Sequence, residues 1–137
     1  MTASRFPLSN TTDKYLGRLQ HMSEVLDQNP AEVKVADIIR VSQSTLIAYK
    51  ELEISKLEKN HPEETISKLR AEVSYLNGEL THIKVMGETD PVKVKAFIDK
   101  MIKFEDYLDD PQLLINEYNK SFASIWCSNH CCNCTIL

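Results

Sequence analysis

The segment CSNHCCNCTIL, residues 127–137, holds all four cysteines of the chain, which are Cys127, Cys131, Cys132 and Cys134. The final tetrapeptide CTIL has the C-a-a-X form, in which a prenyl group is attached to the sulfur of the cysteine. A leucine at the last position favours a geranylgeranyl group over a farnesyl group. The spacing therefore predicts prenylation of Cys134.

A second lipid is expected close to the first, because one prenyl chain alone gives only weak and reversible membrane attachment. A polybasic stretch is one common second signal, but no lysine or arginine follows Lys120. Palmitate on a nearby cysteine is the other, and Cys131 and Cys132 stand next to the C-a-a-X box. No apolar secretory signal opens the chain, so the predicted location is the cytoplasmic face of a cell membrane, with a lipid anchor.

Zinc binding, a disulfide and chance are the alternatives for this cysteine-rich segment. His130 and the cysteines are soft ligands, but a structural zinc site normally uses two ligand pairs separated by a loop of about a dozen residues. The adjacent pair Cys131-Cys132 fits that pattern poorly, and no cysteine elsewhere in the chain could form a disulfide with the segment. We therefore expect no metal site and no cofactor, while a chance match to the C-a-a-X pattern stays open.

Composition argues against two broad functions. Sixteen basic and twenty acidic residues give a net charge of −4, and no basic stripe offsets the acidic excess, so a nucleic-acid partner is not expected. The four histidines are scattered along the chain, and neither a glycine-rich phosphate loop nor a G-x-S-x-G motif occurs. The chain is therefore predicted not to be an enzyme, and no catalytic residue is assigned.

Few turn signals interrupt the chain, since only three glycines and five prolines occur in 137 residues. This favours an all-α fold of long helices. The predicted divisions are a polar extension with a short helix (1–29), a long helix (30–60), a two-helix segment (62–122) and a cysteine-rich tail (123–137). The long helix carries an apolar stripe at spacings of three and four, which Ile54 and Leu57 widen. Its main positions are Ile38, Val41, Thr45, Tyr49 and Leu52.

The helix after Pro62 has the most regular pattern in the sequence. Its apolar residues follow the a and d positions of a coiled coil, and we call them the apolar seam: Ile66, Leu69, Val73, Leu76, Leu80 and Ile83. So narrow a seam must pack on the preceding helix, on a second copy of the chain or on another protein. Gly87 is predicted to end this helix, and Asp90 and Pro91 to start the next one.

Five motifs follow one another between residues 64 and 137. The helix ISKLRAEVSYLNGELTHIKV precedes a turn and a second amphipathic helix, PVKVKAFIDKMIKFEDYL, and then come DPQLL, NKSF and the C-a-a-X box. This order resembles the gamma subunit of heterotrimeric G proteins. That family has D-P-L-L and often N-P-F at the corresponding places, so this chain has an inserted glutamine in the first motif and lacks the proline of the second.

The resemblance implies both a fold and a set of partners. A gamma subunit lies extended along a beta subunit, so the expected fold is extended coiled-coil helices without an independent globular core, with a flexible lipidated tail. The apolar seam would bind a G-protein beta subunit, together with Phe97, Ile98, Met101, Phe104, Pro111, Leu113 and Leu114. Through the beta subunit, the chain would associate with an alpha subunit and a receptor.

Three functions remain open on the sequence. The first is the non-catalytic, lipid-anchored subunit of a signalling complex that the resemblance implies. The second is a self-contained helical-hairpin adaptor with the same lipid tail, in which residues 31–59 fold back on residues 63–85. The third is a small helix-turn-helix DNA-binding protein or phage-type packaging subunit with a fortuitous tail. It rests on residues 35–46, which match the pattern of a turn before V-S-x-S-T, although Arg40 replaces the usual turn glycine.

Replacing the prenylation cysteine, Cys134→Ser, should abolish membrane association and leave the helices intact. The thioether forms only at that sulfur, and a serine hydroxyl does not replace it. Fractionation of cells that express the variant or the wild type measures the membrane-bound share, and circular dichroism of the purified chains checks the helices. An unchanged membrane fraction for the variant would contradict prenylation at Cys134.

Overall fold

The computed structural model describes residues 7–120, and every regular element among them is helical. In chain order the elements are α1 (Asn10–Gln28), a 3-10 turn (Pro30–Glu32), α2 (Val35–Ala48), a π-helical turn (Tyr49–Glu53), α3 (Ile54–Leu57), α4 (Glu63–Met86) and α5 (Pro91–Asp109). Residues 111–120 are also helical. The prediction of an all-α fold is confirmed for the described residues.

The turn between α4 and α5 follows the sequence signals closely. Gly87 has a φ of 64°, which lies in the left-handed region that glycine enters without a steric penalty. Asp90 Oδ1 accepts a hydrogen bond of 3.0 Å from the Val92 N–H, and Pro91 occupies the first turn of α5. The predicted end of one helix and start of the next are both confirmed.

The predicted helix start at Pro30 is only partly right. Pro30 opens a short 3-10 turn, after which Lys34 is extended and caps α2, so that α2 begins at Val35. From there the helix runs through Arg40 without interruption. The turn that the helix-turn-helix alternative requires near Arg40 is therefore not present.

The helices pack as an up-down-up-down bundle. α1 lies between α2 and α5, and α4 lies between the same two helices, so that α1 and α4 occupy diagonal positions. Apolar side chains from α1, α2, α4 and α5 form one buried core. The expectation of extended helices without a core of their own is therefore wrong for the described residues.

The physical reason for this difference is α1. The sequence predicts a short helix within a polar extension here, and the helix is present. It is not peripheral, however, because Leu16, Leu19 and Leu26 are buried in the shared core. The packing of α2 on α4 agrees with the hairpin hypothesis for residues 31–59 and 63–85. However, α1 and α5 complete the core, so the folded unit is larger than a hairpin.

The helix that begins at Val35 changes pitch at the π-helical turn. Tyr49 is fully buried, and the next buried apolar residue is Ile54, five positions later. An α-helix turns through about 100° per residue, so a spacing of five would leave Ile54 on a different side. The wider π-helical turn keeps both residues in the core. Leu52, which the sequence places in the stripe, is 39 % exposed, and that prediction is wrong because it assumes α-helical spacing throughout.

Leu76→Ala should lower the free energy of unfolding by about 2–5 kcal/mol, because it removes buried methyl groups and leaves a cavity. Leu76 is 1 % exposed, whereas its neighbour Tyr75 is 61 % exposed. The matched control Tyr75→Ala should therefore change stability by no more than about 0.5 kcal/mol. Urea unfolding measures both variants, and equal losses would contradict the orientation of α4.

Candidate functional site

The predicted lipid-bearing cysteines, Cys131, Cys132 and Cys134, lie outside the described residues. The last two residues of the NKSF motif also lie outside them. Prenylation and palmitoylation therefore stay predictions. Within residues 7–120, the candidate functional features are the predicted partner-binding residues, three polar clusters and one basic cavity.

Most of the predicted partner-binding residues face the interior of the bundle. All six residues of the apolar seam are buried. Four residues of α5 are buried against them in the same core: Phe97, Ile98, Met101 and Phe104. After α5, Leu114 is buried and Pro111 is partly buried, but Leu113 is 43 % exposed. The structure brings these residues together around an internal core, with only Leu113 on an open surface.

Glu53, at the end of the π-helical turn, has no solvent exposure although its side chain is ionisable. Its Oε2 accepts hydrogen bonds from the Thr12 hydroxyl and, at 3.2 Å, from the Ser9 N–H. Its Oε1 forms an ion pair of 2.9 Å with the Lys56 ammonium and accepts no hydrogen bond from the described residues. Ser9 is the N-cap of α1 but makes no side-chain cap. Glu53 therefore supplies a carboxylate at the positive end of the α1 dipole.

Tyr49, at the other end of the π-helical turn, connects it to α5. Its hydroxyl donates a 2.7 Å hydrogen bond to the carbonyl oxygen of Met101, and its ring centroid lies 4.6 Å from that of Phe104. Burial raises the pKa of Tyr49 well above its ordinary value, and the nearby carboxylates of Glu105 and Glu53 raise it further. The phenol therefore stays protonated at neutral pH and acts as a structural hydrogen-bond donor.

Ser23, Lys95 and Asp99 combine residue types that occur in serine nucleophile sites with a lysine base. Ser23 Oγ donates to Asp99 Oδ1 at 2.8 Å, and Lys95 Nζ donates to both Ser23 Oγ and Asp99 Oδ2 at 3.0 Å. The hydrogen bond to Asp99 raises the pKa of Lys95, whereas a lysine that acts as a base needs a lowered pKa. The cluster is therefore a polar contact between α1 and α5 and does not activate Ser23.

An open cavity of about 460 Å³ lies between α1 and α2. We call it the basic cavity, because its lining includes three cations and three hydroxyl groups, from Lys14, Arg18, Arg40, Thr11, Tyr15 and Ser44. No aspartate or glutamate is among the described residues that line it. It is therefore a region of positive charge on a chain that is acidic as a whole.

Neither the buried polar contacts nor the basic cavity is predicted from the sequence. For the buried polar contacts, the sequence does contain one signal, since the spacing of five between Tyr49 and Ile54 does not fit an α-helix. For the basic cavity, the signal is that Lys14 and Arg18 are four residues apart and therefore share a face of α1. Neither spacing indicates which helix packs against these residues in the folded chain.

No described helix has the length and apolar character needed to cross a bilayer. Within residues 7–120, no three histidine, cysteine, aspartate or glutamate side chains are grouped so as to hold a metal ion. The chain matches no protein-family model, no curated protein and no solved structure. The resemblance to gamma subunits therefore rests on the order of its motifs alone.

Stability above about pH 10 should depend on Tyr49. Because the pKa of Tyr49 is raised in the folded state, the stability tied to its neutral form is fully present below the unfolded-state pKa of about 10. This stability is lost as the pH rises above that value, because the unfolded state releases the proton while the folded state keeps it. Over that pH range the loss is about 1.4 kcal/mol per pH unit. Tyr49→Phe should remove this part of the alkaline slope, and should lower stability at neutral pH by about 1 kcal/mol through the lost hydrogen bond.

Urea unfolding between neutral pH and about pH 11 measures the slope in the titration range of tyrosine. Tyr75→Phe is the matched control, because Tyr75 is exposed and this variant should keep the wild-type slope. Burial also raises the pKa of Tyr107 and Tyr118, and both remain in each variant. A slope for Tyr49→Phe that equals the wild-type slope would contradict a buried neutral phenol.

Proposed function

We propose that the chain is a non-catalytic, membrane-tethered adaptor, in which a self-contained helical bundle carries a lipid anchor on its C-terminal segment. The self-contained bundle is supported by the burial of the apolar seam in the chain's own core. α2 and α5 already cover this seam, so α4 does not need another protein to hide its apolar side. This favours an adaptor that folds alone over a subunit that depends on a partner.

The lipid anchor rests on the residue types of the segment 127–137. Cys134 stands in a C-a-a-X box, and Cys131 and Cys132 are available for the second lipid that stable anchoring requires. The two lipids would hold the bundle at the cytoplasmic face of a membrane. Prenylation requires Leu137 to be the last residue of the protein in the cell, and an intact mass measurement determines this.

A gamma-type subunit of a signalling complex is the second candidate function. It is supported by the order of motifs between residues 64 and 137, and by Leu113 of the DPQLL motif, whose side chain is exposed to solvent. In such an assembly α4 would form a coiled coil with a beta subunit. The apolar seam of α4 would first have to separate from α2 and α5. The two candidate functions therefore predict different folded states for the isolated chain.

The purified chain without lipid should show all the helices described for residues 7–120, and should unfold in one cooperative transition. Leu76→Asp together with Leu80→Asp should destroy this helicity in the single chain, because each buried unpaired carboxylate costs on the order of several kcal/mol. Tyr75→Asp together with Thr81→Asp is the matched control, since it adds the same charge at exposed positions of α4. Circular dichroism with thermal unfolding measures all three chains.

Two results would contradict the proposal. Partial helicity of the lone wild-type chain that increases on addition of a G-protein beta subunit would support the gamma-type candidate instead. For the lipid anchor, the intact mass of protein from the membrane fraction of a eukaryotic cell should exceed the mass of the bare chain by a prenyl group. An unmodified mass would contradict the anchor while leaving the folded adaptor untouched.

A further inference from the structure

We propose that the basic cavity between α1 and α2 binds a phosphate group, carried either by a soluble compound or by a lipid headgroup. The proposal rests on helices within residues 7–120 and does not depend on lipid attachment to the C-terminal segment. It also does not depend on which of the two candidate functions is correct, provided that α1 and α2 pack as they do here.

The basic cavity carries positive charge that is not neutralised by ion pairs of Lys14 or Arg18 with the described residues. The ion pairs of the described residues include neither Lys14 nor Arg18. Cations on α5 contrast with them, since Lys95 and Lys100 each lie 3.0 Å from a carboxylate. The net charge of the chain is −4, whereas the described residues that line the cavity include cations and no carboxylate. The cavity is therefore a local region of positive charge. That charge is available to an anion from solution or from a membrane surface.

The cations of the cavity converge from two helices. Lys14 and Arg18 are one turn apart on α1 and therefore point to the same side. Arg40 comes from α2, which packs against α1, so the cations approach the cavity from two helices. Asp37 accepts one hydrogen bond, of 2.9 Å, from Arg40 Nη2. A guanidinium has five N–H donors, so Arg40 is oriented by Asp37 and keeps donors for a ligand.

The donors that line the cavity match an oxyanion with several oxygens. A phosphate ester presents three strong acceptor oxygens, and a guanidinium can bind two of them at once. The hydroxyl groups of Thr11, Tyr15 and Ser44 add neutral donors to the lining. The volume of about 460 Å³ falls within the range of about 300–1,000 Å³ for small-molecule sites. It leaves room for the sugar or inositol that carries the phosphate.

Titration of the full chain without lipid against inorganic phosphate and soluble inositol trisphosphate tests the site. NMR amide shifts report where the ligand binds, and calorimetry reports the affinity. We expect shifts centred on Lys14, Arg18 and Arg40, with inositol trisphosphate binding more tightly than phosphate. The absence of shifts in α1 and α2 with both probes would overturn the proposal.

A charge-matched pair of variants separates a site from general electrostatic attraction. Lys14→Gln with Arg18→Gln removes two exposed cations of the cavity, and should weaken binding of inositol trisphosphate by about tenfold or more, or about 1.4 kcal/mol. Lys59→Gln with Lys84→Gln removes two exposed cations elsewhere and should bind as the wild type does. Thermal unfolding should be unchanged in both. Equal weakening in the two variants would overturn the proposal.

Vesicles distinguish the two sources of the phosphate group. Phosphatidylcholine vesicles with and without phosphatidylinositol bisphosphate are sedimented with the same chains. Binding that requires the phosphoinositide, is lost in the cavity variant and is kept in the control would assign the site to a lipid headgroup. Binding of soluble inositol trisphosphate without vesicle binding would assign it to a soluble phosphate compound.

Discussion

The narrowness of the apolar stripes is the constraint on which this fold depends. A helix with a stripe on one side is stable in water only when that stripe is covered, and the seam on α4 has α2 on one side and α5 on the other. Those two helices leave further apolar surface on the side away from α4, and α1 covers it with Leu16, Leu19 and Leu26. The bundle therefore closes as a set of four helices, and no pair of them accounts for the core.

Hydrophobic burial has no direction, so other contacts must decide how the helices face one another. Glu53 finds its hydrogen-bond donors only when the start of α1 lies beside the π-helical turn. Tyr49 finds its acceptor only when Met101 of α5 lies opposite. A buried carboxylate that loses its partners costs several kcal/mol. We infer that the two ends of one short turn select the observed alignment of α1 and α5 on α2.

The sequence predicted well what local signals determine. The seam of α4, the left-handed Gly87 and the cap at Asp90 each depend on neighbouring residues only, and each was placed correctly. The partner of the seam was not predictable in this way, because periodicity shows that a face must be covered and does not show by what. The resemblance assigned that role to another protein, whereas the chain's own helices fill it. For the same reason the basic cavity could not be predicted, since Arg18 and Arg40 meet only through the packing of α1 on α2.

The π-helical turn has a consequence for how the length of this chain can vary. A residue inserted into an α-helix ordinarily rotates the rest of the helix by about 100° about its axis. The apolar residues that follow then no longer face the core. Here Ile54 and Leu57 remain buried beyond Tyr49, because the wide turn absorbs one additional residue. A helix with one residue fewer between positions 49 and 54 would bring Tyr49 and Ile54 to a spacing of four, which is also compatible with a shared face. Deletion of one residue at this turn is therefore compatible with the buried core, whereas a one-residue deletion elsewhere in a helix would rotate the residues beyond it away from the core.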